Sequence, residues 1–175
     1  MNKALVVRVC GLAAILAACS SDSKSSWGLD PNQTLSTLSV DQRKQFCRSD
    51  VKCIRETISW AQQCKANALF DAQGASSDAD VQAACKTSYD SCMSSVPDSS
   101  APSDTDAEVV ACLTQAWTCD ITVGQAVACV SDSSDATDKW ITSLPSCSSA
   151  TVQGVASLRS APEPDSCKTW NKLCQ

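Results

Sequence analysis

Cys85-Lys86-Thr87-Ser88-Tyr89-Asp90-Ser91-Cys92 sets two cysteines seven positions apart in a stretch where Val81, Cys85, Tyr89 and Cys92 recur at helical spacing. The same C-x6-C interval returns at Cys112/Cys119 and at Cys167/Cys174. Residues seven apart on a helix share a face but stand about 10.5 Å apart along its axis. A disulfide spans no more than roughly 7 Å between Cα atoms. While the helix stands, neither cysteine of such a pair can bond the other, and both must reach a different segment.

Two antiparallel helices with axes about 8–10 Å apart bring facing Cα atoms within that reach. Such a hairpin resembles the stapling of twin C-x9-C proteins with a shorter rung. Spacing alone leaves the connectivity open. If the segments 85–92 and 112–119 pair antiparallel, the expected bridges are Cys85–Cys119 and Cys92–Cys112. No C-x2-C or C-x4-C interval occurs, which removes the signatures of zinc ribbons, thioredoxin-like redox sites and iron–sulfur ligation.

Outward from this stretch the chain reads as all-α. Ser39-Val40-Asp41-Gln42 has the form of a capping box opening a helix toward Cys47, with Ser49-Asp50 as its interruption. From Val51 a second helix is expected to about Phe70, carrying Cys53, Thr57, Trp60 and Cys64 on one stripe. Residues 74–78 form a turn, and the Pro/Ser-rich residues 96–104 form a loop. Thr105-x-x-Glu108 and Thr122-x-x-Gln125 are further helix starts. Between them Val109, Cys112, Leu113, Ala116 and Trp117 point inward up to Cys119. The stretch 131–138, rich in Ser and Asp, reads as an acidic loop. A short turn with Trp140, Ile141 and Leu144 ends at Pro145, and Cys147 follows in a loop. Ala161-Pro162-Glu163-Pro164 is an extended spacer. Asp165 or Ser166 caps a last helix bearing Cys167, Trp170, Leu173 and Cys174. No segment alternates as a strand would.

The chain has 175 residues, 13 cysteines and no histidine. Its length fits one domain or two small helical lobes. With few aromatics and long polar stretches the core must be modest, so cross-links carry part of the stability. The missing histidine excludes Ser-His-Asp and Cys-His nucleophile pairs, HExxH zinc sites and the common pH switch.

Lys3 and Arg8 give Met1–Arg8 the positive charge of a signal n-region, and Val9–Leu16 is apolar but too short to span a bilayer. Leu16-Ala17-Ala18-Cys19 follows, and this run resembles the lipobox of bacterial lipoproteins. The resemblance implies removal of residues 1–18, Cys10 included, and acylation of Cys19 as the new N-terminus. Ser20 directly after it looks like an outer-membrane address. Residues 19–34 then read as lipidated cysteine plus flexible tether, and 35–175 as the cysteine-rich helical domain. Removing Lys3 and Arg8 from 14 basic residues leaves 12 against 19 acidic, a balance of −7. That charge argues against a nucleic-acid partner. The remaining cysteines would lie outside the cytoplasm, where disulfides persist.

Cys119-Asp120-Ile121-Thr122-Val123-Gly124 with Cys129-Val130, and Leu35-Ser36-Thr37-Leu38-Ser39 leading to Phe46-Cys47, resemble a group of uncharacterised cysteine-rich lipoproteins common in myxobacteria. Cys53, Cys92 and Cys112 depart from that pattern. The group carries no assigned activity and so implies no mechanism.

The leading expectation is therefore a non-enzymatic, lipid-anchored binding or structural module on the periplasmic face or cell surface, partnered by the membrane and by a protein. No cofactor and no metal site are expected. An alternative is a carrier of small apolar ligands or lipid, with a cavity lined by Trp60, Tyr89, Trp117 and Trp140. Asp132, Asp135 and Asp138 lack the ligand spacing and central glycine of an EF-hand. Beyond Cys19 there are 11 cysteines, an odd number, so one thiol is expected to be spare. Local pairing leaves it among Cys47, Cys53 and Cys64. Cys53, beside Arg48, Lys52 and Arg55 in sequence, is the candidate free thiol.

Overall fold

A computed structural model describes residues 26–95, 101–115 and 117–174. The helices are α1 (Val40–Thr57), α2 (Trp60–Asp71), α3 (Asp78–Met93), α4 (Ala107–Leu113), α5 (Val123–Ser143), α6 (Val152–Ala156) and α7 (Asp165–Leu173). Short 3-10 turns occupy Ser26–Gly28, Leu35–Thr37 and Cys147–Ser149. The protein is a small all-α domain; among the described residues no strand forms beyond an isolated antiparallel bridge between Thr34 and Thr122.

Local hydrogen bonding sets most helix starts. Ser39/Gln42 and Thr122/Gln125 form the expected reciprocal boxes, each side chain serving the other residue's backbone N–H. A third box, Ser59/Gln62, opens α2. The box at Thr105 does not form: Asp106 is the N-cap, and Glu108 turns to Arg55 at 3.1 Å.

The expected break at Ser49-Asp50 is corrected, because α1 runs on to Thr57 and the chain turns at Ile58, which is extended at φ −107°, ψ 103°. Buried Phe46, Cys47, Val51 and Cys53 lie on both sides of half-buried Asp50, so packing of its neighbours carries the helix through it. At Ser59 the cap bonds favour a fresh start instead. Replacing Ser59 with alanine should cost about 1 kcal/mol in urea unfolding. Equal losses from Ser59→Ala and Ser49→Ala would show that the cap does not place this break.

Residues 131–138 are likewise not a loop but the middle of α5, a 21-residue helix about 31 Å long. Its serines hid the period: Val127, Val130, Ser131, Ser134 and Ile141 share the inward side, with Ser131 and Ser134 at 2% and 0% exposure. The tether expected over 19–34 also ends early. Trp27 sets its ring 4.9 Å from Phe46 and Leu29 is buried. The first-turn N–H groups of Val123 and Gly124 donate to Gln33 O at 2.8 Å and Pro31 O at 2.9 Å. A Cβ on Gly124 would stand 3.1 Å from Pro31 O, so glycine permits this close approach.

Two apolar cores result. One gathers Leu35, Phe46, Val51, Val109, Ile121 and Val127 from α1, α4 and the start of α5; the other gathers Ile58, Leu69, Val81, Ile141, Leu144 and Val155 from α2, α3, the end of α5 and α6. Helix α5 serves both. Lys65 on α2 donates its Nζ to Ile141 O at 3.1 Å and Leu144 O at 2.7 Å, placing a cation at the negative end of α5.

The disulfides are Cys47–Cys112, Cys64–Cys92, Cys85–Cys147, Cys119–Cys174 and Cys129–Cys167, with Cα–Cα distances from 4.6 to 5.8 Å. Every C-x6-C cysteine thus bonds a different segment. The expected hairpin and its bridges Cys85–Cys119 and Cys92–Cys112 are not what forms. The stretch 112–119 is not one helix, since α4 ends at Leu113, and α3 packs on α2 rather than on α4. Cys53, read as the spare thiol, is disulfide-bonded in the unprocessed chain. The cations near it serve another purpose: Arg48 pairs with Asp104 at 2.6 Å and Arg55 with Asp106 at 2.9 Å, holding the segment before α4 against α1.

Candidate functional site

Cys19, the expected lipidation site, and Cys10 lie outside the described residues. The aromatics proposed to line one cavity are divided, Trp117 packing on the first core and Tyr89 and Trp140 on the second. Trp117 stands edge-on to Phe46 at 5.7 Å with the Arg43 guanidinium 5.5 Å from its ring centre. Tyr89 and Trp140 pack on the second core, and Trp60 donates its indole N–H to Cys92 O at 3.1 Å. Asp138 accepts from Gln62 at 2.5 Å, while Asp132 and Asp135 face outward. Among the described residues no group of three or more acidic, cysteine or histidine side chains is placed to hold a metal ion.

Two open grooves mark the surface. The first, about 730 Å³, runs between α2 and α3 beside Asn67, Asp71, Thr87, Ser88, Ser91 and Ser95. Its hydroxyls are partly engaged already: Ser88 donates to the Asp71 carboxylate and Thr87 to Ala83 O. The second, about 580 Å³, lies on the outer side of α5 between Trp140 and Pro162, with Asp132, Asp135 and Lys139 at its rim. The ring of Phe70, itself partly exposed, lies 5.9 Å from that of Trp140. One groove offers hydroxyl and amide groups, the other an aromatic wall with mixed charge.

The chemically most unusual residue is half-buried on α1. Asp50, itself only half-buried, is flanked on α1 by Phe46, Cys47, Val51 and Cys53, all at 2% exposure or less. Its Oδ1 is sealed from solvent and has no hydrogen-bond partner. Burial pushes its pKa up to about 7 from 3.8. Trp117 Nε1, Ser131 Oγ, Ser134 Oγ, Thr137 Oγ1 and Ser166 Oγ are also buried without partners. The surface carboxylates behave oppositely. Asp106 is held below its ordinary range by the Ser103 hydroxyl and then by Arg55, and Asp165 by Lys168, whose Nζ is 2.6 Å away.

The sequence reading missed Asp50, although the signal was present: Phe46, Cys47, Asp50, Cys53 and Ile54 follow the 3.6-residue period, and treating Ser49-Asp50 as a breaker concealed it. In comparisons with known proteins, no family model, no curated protein and no solved structure matches the chain.

Proposed function

We propose that the protein is a non-enzymatic, lipid-anchored module of the cell envelope, held at the outer membrane through acylated Cys19 and presenting its helical domain for binding or structural support. The observation that carries the reading is the disulfide framework, five bridges among the described residues, which persists in an oxidising compartment. Leu16-Ala17-Ala18-Cys19 supplies the matching address. The non-enzymatic part rests on the sequence, in which no histidine and no catalytic motif occurs. Because the packed chain already includes Trp27, only Ser20–Ser26 separates Cys19 from the domain. Such a segment spans at most about 25 Å, which keeps the domain close to the membrane.

Each buried CH2 of the acyl chains contributes about 0.8 kcal/mol, so several chains anchor firmly. Cys19→Ser should yield an unprocessed or soluble product lacking the acyl mass. If that variant fractionates with membranes as the parent does, the anchor is elsewhere.

A further inference from the structure

Building on the binding role already proposed, we infer that the groove on the outer side of α5 is the module's binding face and takes a basic segment of a protein partner. One arginine of that segment stacks on Trp140 and a second meets Asp132 and Asp135. Asp132, Asp135, Ala136, Lys139 and Trp140 line the groove, and their places at i, i+3, i+4, i+7 and i+8 form one stripe of the helix. Pro162, on the stretch before α7, closes the other side.

The carboxylates set this stripe apart. Elsewhere on the surface Asp104 holds Lys44 and Arg48, Asp106 and Glu108 hold Arg55, and Asp90 and Asp165 hold Lys86 and Lys168. The side chains of Asp132 and Asp135 make no ion pair or hydrogen bond among the described residues, and Lys139, one turn beyond Asp135, does not pair with it. The groove thus presents two uncompensated acids against one lysine. Its wall is the second feature. Trp140 is half-buried, and Phe70, 37% exposed, sets its ring 5.9 Å from the indole and buttresses it. Indole is the ring that attracts a cation most strongly, and guanidinium is the cation that also stacks flat on it. The spacing suits an extended peptide. Asp135 and Asp132 stand about 7.5 and 12 Å from Trp140 along the helix axis, and side chains two apart in an extended chain leave the same side about 7 Å apart. The length of arginine covers the remainder. Lys139 lies between the two cation positions and opposes them, so its removal has a defined sign.

The test is titration of the full chain, in neutral detergent, with acetyl-Gly-Arg-Gly-Arg-Gly-amide and with the same peptide carrying citrulline for arginine. Nitrogen-15 spectra report the contact, the Trp140 indole signal being assigned by its loss in Trp140→Phe. The arginine peptide should shift that indole and the amides of residues 132–143 and should bind at least tenfold more tightly than the citrulline peptide. Asp132→Asn with Asp135→Asn should weaken binding about tenfold. Asp41→Asn, which removes another exposed carboxylate without a partner among the described residues, should leave it unchanged. Lys139→Gln should strengthen it. Equal binding of the citrulline peptide overturns the inference, as does weaker binding in Lys139→Gln. Shifts spread over every acidic surface also overturn it, since they report only a negative chain attracting cations. Should the double variant fail to fold, the comparison of the two peptides on the parent protein still decides. A protein that ignores the arginine peptide, yet leaves the membrane in Cys19→Ser, loses this site and keeps its anchor.

Discussion

Between pH 4 and pH 8 the folded protein should lose up to about 4 kcal/mol of stability through Asp50 alone. The direction follows from where the proton resides. Asp50 has a pKa of about 7 when folded, raised from 3.8. Below the lower value it is protonated in both states and imposes no penalty. Between the two values the unfolded chain ionises while the folded protein keeps its proton, so each pH unit costs the native state about 1.4 kcal/mol. Above pH 7 both states are ionised and the penalty is complete. Asp106 and Asp165, whose pKa values are depressed, contribute in the opposite sense and only in acid: their stabilisation is present above the unfolded value and lost as the pH falls through the folded one. Stability should therefore peak near pH 4 to 5 and decline toward neutrality. Urea titrations across this range would read it directly. Asp50→Asn should flatten the decline and be the more stable protein at pH 8. A parent whose stability rises steadily from pH 4 to 8 would contradict the buried, unpaired state of this carboxyl.

Replacing Cys85 and Cys147 together with alanine should lower stability by about 4 kcal/mol. The bridge joins residues 62 apart in sequence, and the entropy restored to the unfolded chain grows with the logarithm of that loop. Cys64–Cys92 closes a separation of only 28, so its double replacement should cost about 3.5 kcal/mol. The pattern of loss is more telling than its size. Cys85 is fully buried in the second core, whereas Cys47–Cys112 and Cys119–Cys174 secure the first. Hydrogen-exchange protection should accordingly fall in α3 and α6 and persist in α4. Uniform loss across all helices would mean that the two cores stand or fall as one unit.

The elements legible in the sequence are those whose causes are local. Ser39-x-x-Gln42 and Thr122-x-x-Gln125 each contain donor and acceptor within one turn, so four residues suffice to locate a helix start. The rule that C-x6-C partners must bond elsewhere needs only the rise of a helix, and Cys85, Cys92, Cys112, Cys119, Cys167 and Cys174 all obey it. Thr105-x-x-Glu108 shows how a local signal fails: Arg55, more than fifty positions away in sequence, takes the glutamate that the box needed.

From the sequence alone came the all-α class, most helix starts and the richness in cross-links, because each depends on residue types at short range. Tertiary structure alone decided which segments meet. It chose Cys147 over Cys119 for Cys85 by laying α3 on α2, carried α5 through a serine-rich stretch by burying its inner face, and folded Trp27 and Leu29 onto α1 and α5. It also turned Asp50 from a helix breaker into a helical acid with one carboxyl oxygen sealed from water, since a carboxyl's protonation depends on the water its neighbours leave to it.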